Sequence, residues 1–150
     1  GNMSIKVALT EALHKAMKEK DVFSKTAIRL ALSSIKRAEV DKGEELDDIS
    51  IFGIIQKEIK TKEETIAEAV KADRNEMIPP LETEILVLQK FLPSELTDAE
   101  LNNIIDKTIS ELNATSIKQM GIVMKKVIEE VQGQASNDRI SNIVKSILSK

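Results

Sequence analysis

Met120-Gly121-Ile122-Val123-Met124-Lys125-Lys126-Val127-Ile128-Glu129-Glu130-Val131-Gln132-Gly133-Gln134-Ala135-Ser136 is the stretch that decides the fold. Its apolar residues, Met120, Val123, Met124, Val127, Ile128 and Val131, together with Ile117 just before the stretch, recur at steps of three and four, the spacing of one helix face. Gly133 sits where a helix stop is expected. Gly121 is different, because glycine inside a helix costs about 1 kcal/mol against alanine and commonly marks a close approach of another backbone. The last helix, over 137–150, is the element expected to cross there.

The pattern continues downstream. Ile140, Ile143, Val144, Ile147 and Leu148 face one way, behind a cap at Ser136 or Asn137. Upstream, Thr97-Asp98-Ala99-Glu100 matches a capping box, with Leu101, Ile104, Ile105, Thr108, Ile109 and Leu112 as the apolar face behind it. Phe91-Leu92-Pro93-Ser94 ends the preceding helix, since the residue before a proline is pushed out of helical geometry. Pro93 therefore marks the expected boundary between a unit of residues 3–92 and a unit of residues 93–150.

Four helices are predicted before that boundary. Ser4 caps a first one, with Ile5, Leu9, Ala12, Leu13, Ala16 and Met17 inward. A second runs from about Val22 to Val40 on Ala27, Ile28, Ala31, Leu32, Ile35 and Ala38. The third, Ile49 to Lys71, has the stripe Ile51, Phe52, Ile55, Ile59, Ile66, Ala69 and Val70, with Gly53 as a further close crossing. Its band from Lys57 to Glu64 mixes both signs and reads as helix support, Glu58 pairing Lys62 four residues on. Pro79-Pro80 opens the fourth, which is faced by Leu81, Ile85, Leu88 and Leu92. No strand signal occurs. The fold class is all-α: a four-helix unit followed by a small three-helix unit.

The inventory of side chains narrows the chemistry. The 150 residues contain no Cys and one His, His14, on the flank of an apolar stripe. No conventional zinc site or Cys–His nucleophile can be assembled from that set, so no catalytic residue, metal or cofactor is assigned. The five glycines are scattered, without a phosphate-binding or dinucleotide fingerprint. The carboxylate pairs Glu44-Glu45, Asp47-Asp48 and Glu63-Glu64 fall in turns, helix starts and charged bands, where structural use suffices. No long uncharged apolar run or signal-like start is present, so the expectation is no membrane and a cytoplasmic location. Gly1-Asn2 ahead of Met3 reads as an addition left by expression.

Net charge is −3, with 15 basic against 17 acidic residues up to Leu92 and 7 against 8 after it. Neither part is a basic domain of the kind that grips phosphates non-specifically. The candidates for nucleic acid are Lys118, Lys125 and Lys126, then Arg139, Lys145 and Lys150. Lys118 and Lys125 project nearly together if one α-helix carries both, while Glu129 on the same side partly neutralises them. No aromatic residue follows Phe91, so contact with RNA here would be to backbone or shape, without base stacking.

Taken together, four stretches resemble the YqeY-like proteins, whose C-terminal part is related to the tail domain of GatB, the tRNA-recognising subunit of aspartyl/glutamyl-tRNA amidotransferase. They are Ile28-Arg29-Leu30 through Glu39, and Gln56-Lys57-Glu58-Ile59-Lys60 on to Arg74. Next come Glu84-Ile85-Leu86 through Leu101, and Met120 to Met124 with Gly133-Gln134-Ala135-Ser136 and Ile143-Val144-Lys145. The family commonly places a basic residue where this chain has Gln134. The resemblance implies an all-helical protein with a GatB-tail-like C-terminal unit and a non-catalytic, tRNA-associated role. Lys118, Lys125, the Gly133 turn and Arg139 are then the places for RNA contact, and a protein of the tRNA-charging machinery is an implied partner. Two alternatives stand beside it: a protein–protein adaptor, or an accessory subunit in carbon–nitrogen ligase activity with glutamine as amido donor.

Overall fold

The computed structural model describes residues 4–150, so the Gly1-Asn2-Met3 reading lies outside the described residues. Seven α-helices and two short 3₁₀ turns make up the described chain, with no strand among the described residues. The all-α class follows. The chain divides into two compact units, one up to Leu92 and one from Pro93.

The first unit holds α1 (Ile5–Glu19), α2 (Val22–Lys42), α3 (Asp48–Lys71) and α4 (Ile78–Gln89). Short polar caps start the first three. Ser4 Oγ accepts from the Val7 N–H, and the carboxylates of Asp21 and Asp47 accept from the Ser24 and Ser50 N–H groups. Each cap satisfies a donor that the first turn of a helix leaves without a partner. Gly43 closes α2 at φ +79°, a left-handed conformation that favours glycine. Prolines in the first turn of α4 occupy a place where the missing N–H costs no helical bond. Leu9, Ala27, Ile28, Ala31, Ile35, Ile51, Ile55, Ile59 and Leu88 form its core.

Three side chains here depart from the periodic reading. Val70, expected inward, is exposed, as is Met17. Lys62 instead lies on the buried face of α3, continuing the row Ile51, Ile55, Ile59 in helical register, and is only 6% exposed. It does not pair with Glu58. Lys62 Nζ meets Glu84 of α4 at 3.3 Å, while Glu58 accepts from the Ser34 hydroxyl at 2.5 Å. The two charges expected to support one helix therefore join α3 to α4 and α3 to α2.

The second unit holds α5 (Asp98–Glu111), α6 (Met120–Val131) and α7 (Asn137–Leu148). The capping box at α5 is complete: the Thr97 N–H donates to Glu100 Oε1 at 2.9 Å, and the Glu100 N–H to Thr97 Oγ at 3.1 Å. Residues Ile117–Gln119 form a 3₁₀ turn rather than the first turn of α6. Gln119 reaches back to accept from the N–H groups of Thr115 (2.6 Å) and Ser116 (3.1 Å), which holds that turn in place. Leu101, Ile105, Val123, Val127, Val131, Ile140, Val144 and Leu148 fill an entirely aliphatic core.

α6 ends as the sequence indicates, on Gly133 at φ +81°, with Gln132 also left-handed at φ +47°. The expected crossing at Gly121 is absent. α6 contributes Val123, Val127 and Val131 to the core, and Gly121 lies two residues before Val123, about 200° around the helix. A Cβ built on Gly121 would meet nothing within 4 Å.

Candidate functional site

Several polar side chains of the first unit hold its helices together. Glu39 takes two bonds from Lys6 Nζ (2.8 and 3.0 Å) and one from the Leu46 N–H (2.9 Å), tying α1 and the loop after α2 to one carboxylate. The Lys6 hydrogen bond, aided by that of Leu46, holds the Glu39 carboxyl below its ordinary value. Among the described residues, no group of three or more His, Asp or Glu side chains is placed to hold a metal. An open cavity of about 580 Å³ beside α2 and α4 is lined by Asp21, Ser24, Thr83, Leu86, Val87, Gln89 and Lys90. Its acid is already in use, since Asp21 accepts from both the N–H and the hydroxyl of Ser24, and the hydroxyl bond lowers its pKa. No described helix is long and apolar enough to cross a membrane.

The basic residues singled out in the second unit divide into two kinds. Arg139 is a brace. Its Nη2 donates to the Leu96 carbonyl at 3.1 Å and to Asp98 Oδ1 at 2.8 Å. The Leu96 N–H in turn donates to the Gln134 carbonyl at 2.8 Å. Both backbone groups of Leu96 are thus engaged, and the segment entering α5 is fastened to the Gly133 turn and to α7. Gln134 serves this joint through its backbone, which any residue type could supply. Sequence reading took Arg139 for an outward cation because its partners lie 41 and 43 positions away, beyond any local pattern.

Lys118, Lys125, Lys126 and Lys145 are the other kind. All four are exposed, and no ion pair engages them among the described residues. Lys125 and Lys126 share the outer face of α6 with Gly121, Ile122, Glu129 and Glu130. Lys118 stands just before them on the 3₁₀ turn, so its register with Lys125 is not that of one continuous α-helix. Lys145 belongs to the exposed side of α7. The glutamates do not close on the lysines: in both i, i+4 pairs the lysine comes first, the less favourable order along a helix dipole. Beside the lysines, Ile122 is 63% exposed and Ile117 44%. The sequence alone could have flagged Ile122, which falls off the Val123–Val127–Val131 stripe.

Comparison with known proteins agrees with the architecture. The family model described as "Yqey-like protein" matches residues 6–148. A protein of Vanderwaltozyma polyspora is 33% identical over 126 residues, 83% of this chain and 68% of its own length. One from Kluyveromyces lactis is 38% identical over 56% of this chain and 46% of its own length, and one from Saccharomyces cerevisiae is 30% identical over 81% and 65%. Each is named "altered inheritance of mitochondria protein 41, mitochondrial". The chain thus spans between about half and two thirds of the length of these relatives. Their names correct the expectation of a cytoplasmic protein. That expectation rested on the absence of a signal-like start, and an aliphatic helical fold of modest net charge suits any aqueous compartment.

Proposed function

The chain belongs to the Yqey-like protein family, and from that membership we propose that it is a non-catalytic, tRNA-associated helical module. Residues 93–150 serve as its RNA-facing unit, as in the GatB tail that they resemble. One observation carries the reading. Lys118 on the turn before α6, and Lys125 and Lys126 at the middle of α6, point outward without ion pairs among the described residues, in a unit whose arginine is held internally. Phosphate contacts by lysine give salt-sensitive binding without base specificity, which suits a surface lacking aromatic residues. Amide transfer, where this protein takes part in it, falls to a partner.

The test is titration of labelled tRNA into the full chain at low salt. Lys118→Glu combined with Lys125→Glu should weaken binding by about tenfold or more and flatten its salt dependence by roughly one phosphate per lysine lost. A wild-type chain that fails to bind at low salt would sink the proposal. A second reading, a protein–protein adaptor, is favoured by a different surface. Val22, Phe23 and Leu86 are exposed apolar residues of α2 and α4, Leu86 at 62%. A stable protein partner whose capture is abolished by Leu86→Glu, with tRNA binding absent, would establish that reading instead.

A further inference from the structure

Gly121 has no packing role within its own unit. It is helical, exposed and outside the left-handed region, and a Cβ there would touch nothing. A turn does not require it, and no helix of its own unit approaches. Glycine at such a place weakens the helix, and a bare backbone on an exposed face suits something from outside the unit that approaches it closely. The same face carries an electrostatic gradient. Lys118 lies just before it, Lys125 and Lys126 stand at its middle, and no acid occupies the first turn of α6. Its last turn has Glu129 and Glu130 and no base. The helix dipole is positive at the first end and negative at the second, so side chains and backbone add instead of cancelling. Such a helix attracts an anion to one half and repels it from the other.

Resting on the RNA reading above, we propose that Gly121 is the seat of a ribose–phosphate backbone. Ile117 and Ile122 flank the sugar, Lys118, Lys125 and Lys126 take the phosphates around it, and Glu129 and Glu130 end the footprint. The missing side chain lets the strand come close enough to the helix for the lysines to act at short range, where Coulomb attraction is strongest. The two glutamates set direction, because phosphates continuing along α6 would meet both acids and the negative helix end. Aliphatic flanks with no aromatic ring leave bases unread, so the site discriminates by backbone geometry.

The experiment uses the full chain and unfractionated tRNA at low salt, with the Lys118→Glu/Lys125→Glu variant as the reference for RNA binding itself. Gly121→Leu should weaken binding by about tenfold, by holding the strand away from its contacts. Gly121→Ala should weaken it less while raising Tm by about 2 °C, since alanine favours the helix. Glu129→Gln/Glu130→Gln should tighten binding more than Glu63→Gln/Glu64→Gln, which makes the same charge change on α3. If wild type binds and the lysine variant does not, yet Gly121→Leu binds as wild type, the footprint is overturned while the RNA reading stands. If wild type binds no tRNA, both fall. A Gly121→Ala chain with lowered Tm would show that the glycine is structural, and loss of a bound protein without loss of tRNA binding would give this face to a protein; either result overturns the inference.

Discussion

The two units differ in what ties their helices together. In the first, charged side chains link helices: Lys6 of α1 reaches Glu39 of α2, Lys62 of α3 reaches Glu84 of α4, and Glu58 of α3 takes the Ser34 hydroxyl of α2. In the second, an aliphatic core holds the helices and Arg139 braces α7 against the segment entering α5, while Lys118, Lys125, Lys126 and Lys145 face outward. A charge that fixes packing is unavailable to a partner. The contrast therefore separates a unit whose helices are tied by charged side chains as well as by its core from one held by its aliphatic core and a single arginine brace.

The contrast breaks most visibly at the buried pair. Glu84→Leu leaves the Lys62 ammonium without its partner in an apolar setting and should cost about 3 kcal/mol in urea unfolding of the full chain. Adding Lys62→Met should recover most of that loss, because two apolar groups of similar size need no partner. If Glu84→Leu alone is neutral, the pair does not hold the unit. In the second unit the matching change is Arg139→Ala. Asp98 is largely exposed, so its ion pair contributes little, and the loss should be about 1 kcal/mol, mainly from the Leu96 carbonyl. Amide exchange should speed up first between Ser94 and Thr97, and unchanged exchange there would show that the brace is dispensable.

Acid sharpens the same comparison. Asp21, Glu39 and Asp47 in the first unit are held below their ordinary values by hydrogen bonds from Ser24, Lys6 and Ser50 respectively, and Glu100 in the second by the Thr97 N–H. A carboxylate lowered on folding contributes stability that is present above its unfolded pKa and is lost as pH falls through the folded one. With three such groups against one, signals of the first unit should weaken before those of the second as pH drops below about 4. NMR spectra recorded across that range decide it. The smallest effect runs the other way: Gly121→Ala should stabilise the second unit by about 0.5 kcal/mol.

Much of this was legible in the residues. Apolar periodicity located all seven helices, Thr97 and Glu100 announced their capping box, and Gly133 announced the end of α6. Those features are local, written within one or two helical turns. The candidate surface was legible in part, since Lys118, Lys125 and Lys126 are surface lysines on either reading. Arg139 was not, because a guanidinium looks the same in sequence whether it meets solvent or a carbonyl 43 positions away.

Sequence alone therefore determined the helical class, the order of elements and the aliphatic make-up of both cores, because side-chain period and caps act between near neighbours. Tertiary structure alone decided that Lys62 is buried against Glu84, that Arg139 is a brace, and that Gly121 faces outward. Each depends on which helix lies opposite. That choice is set by long-range packing, and no single helix encodes it.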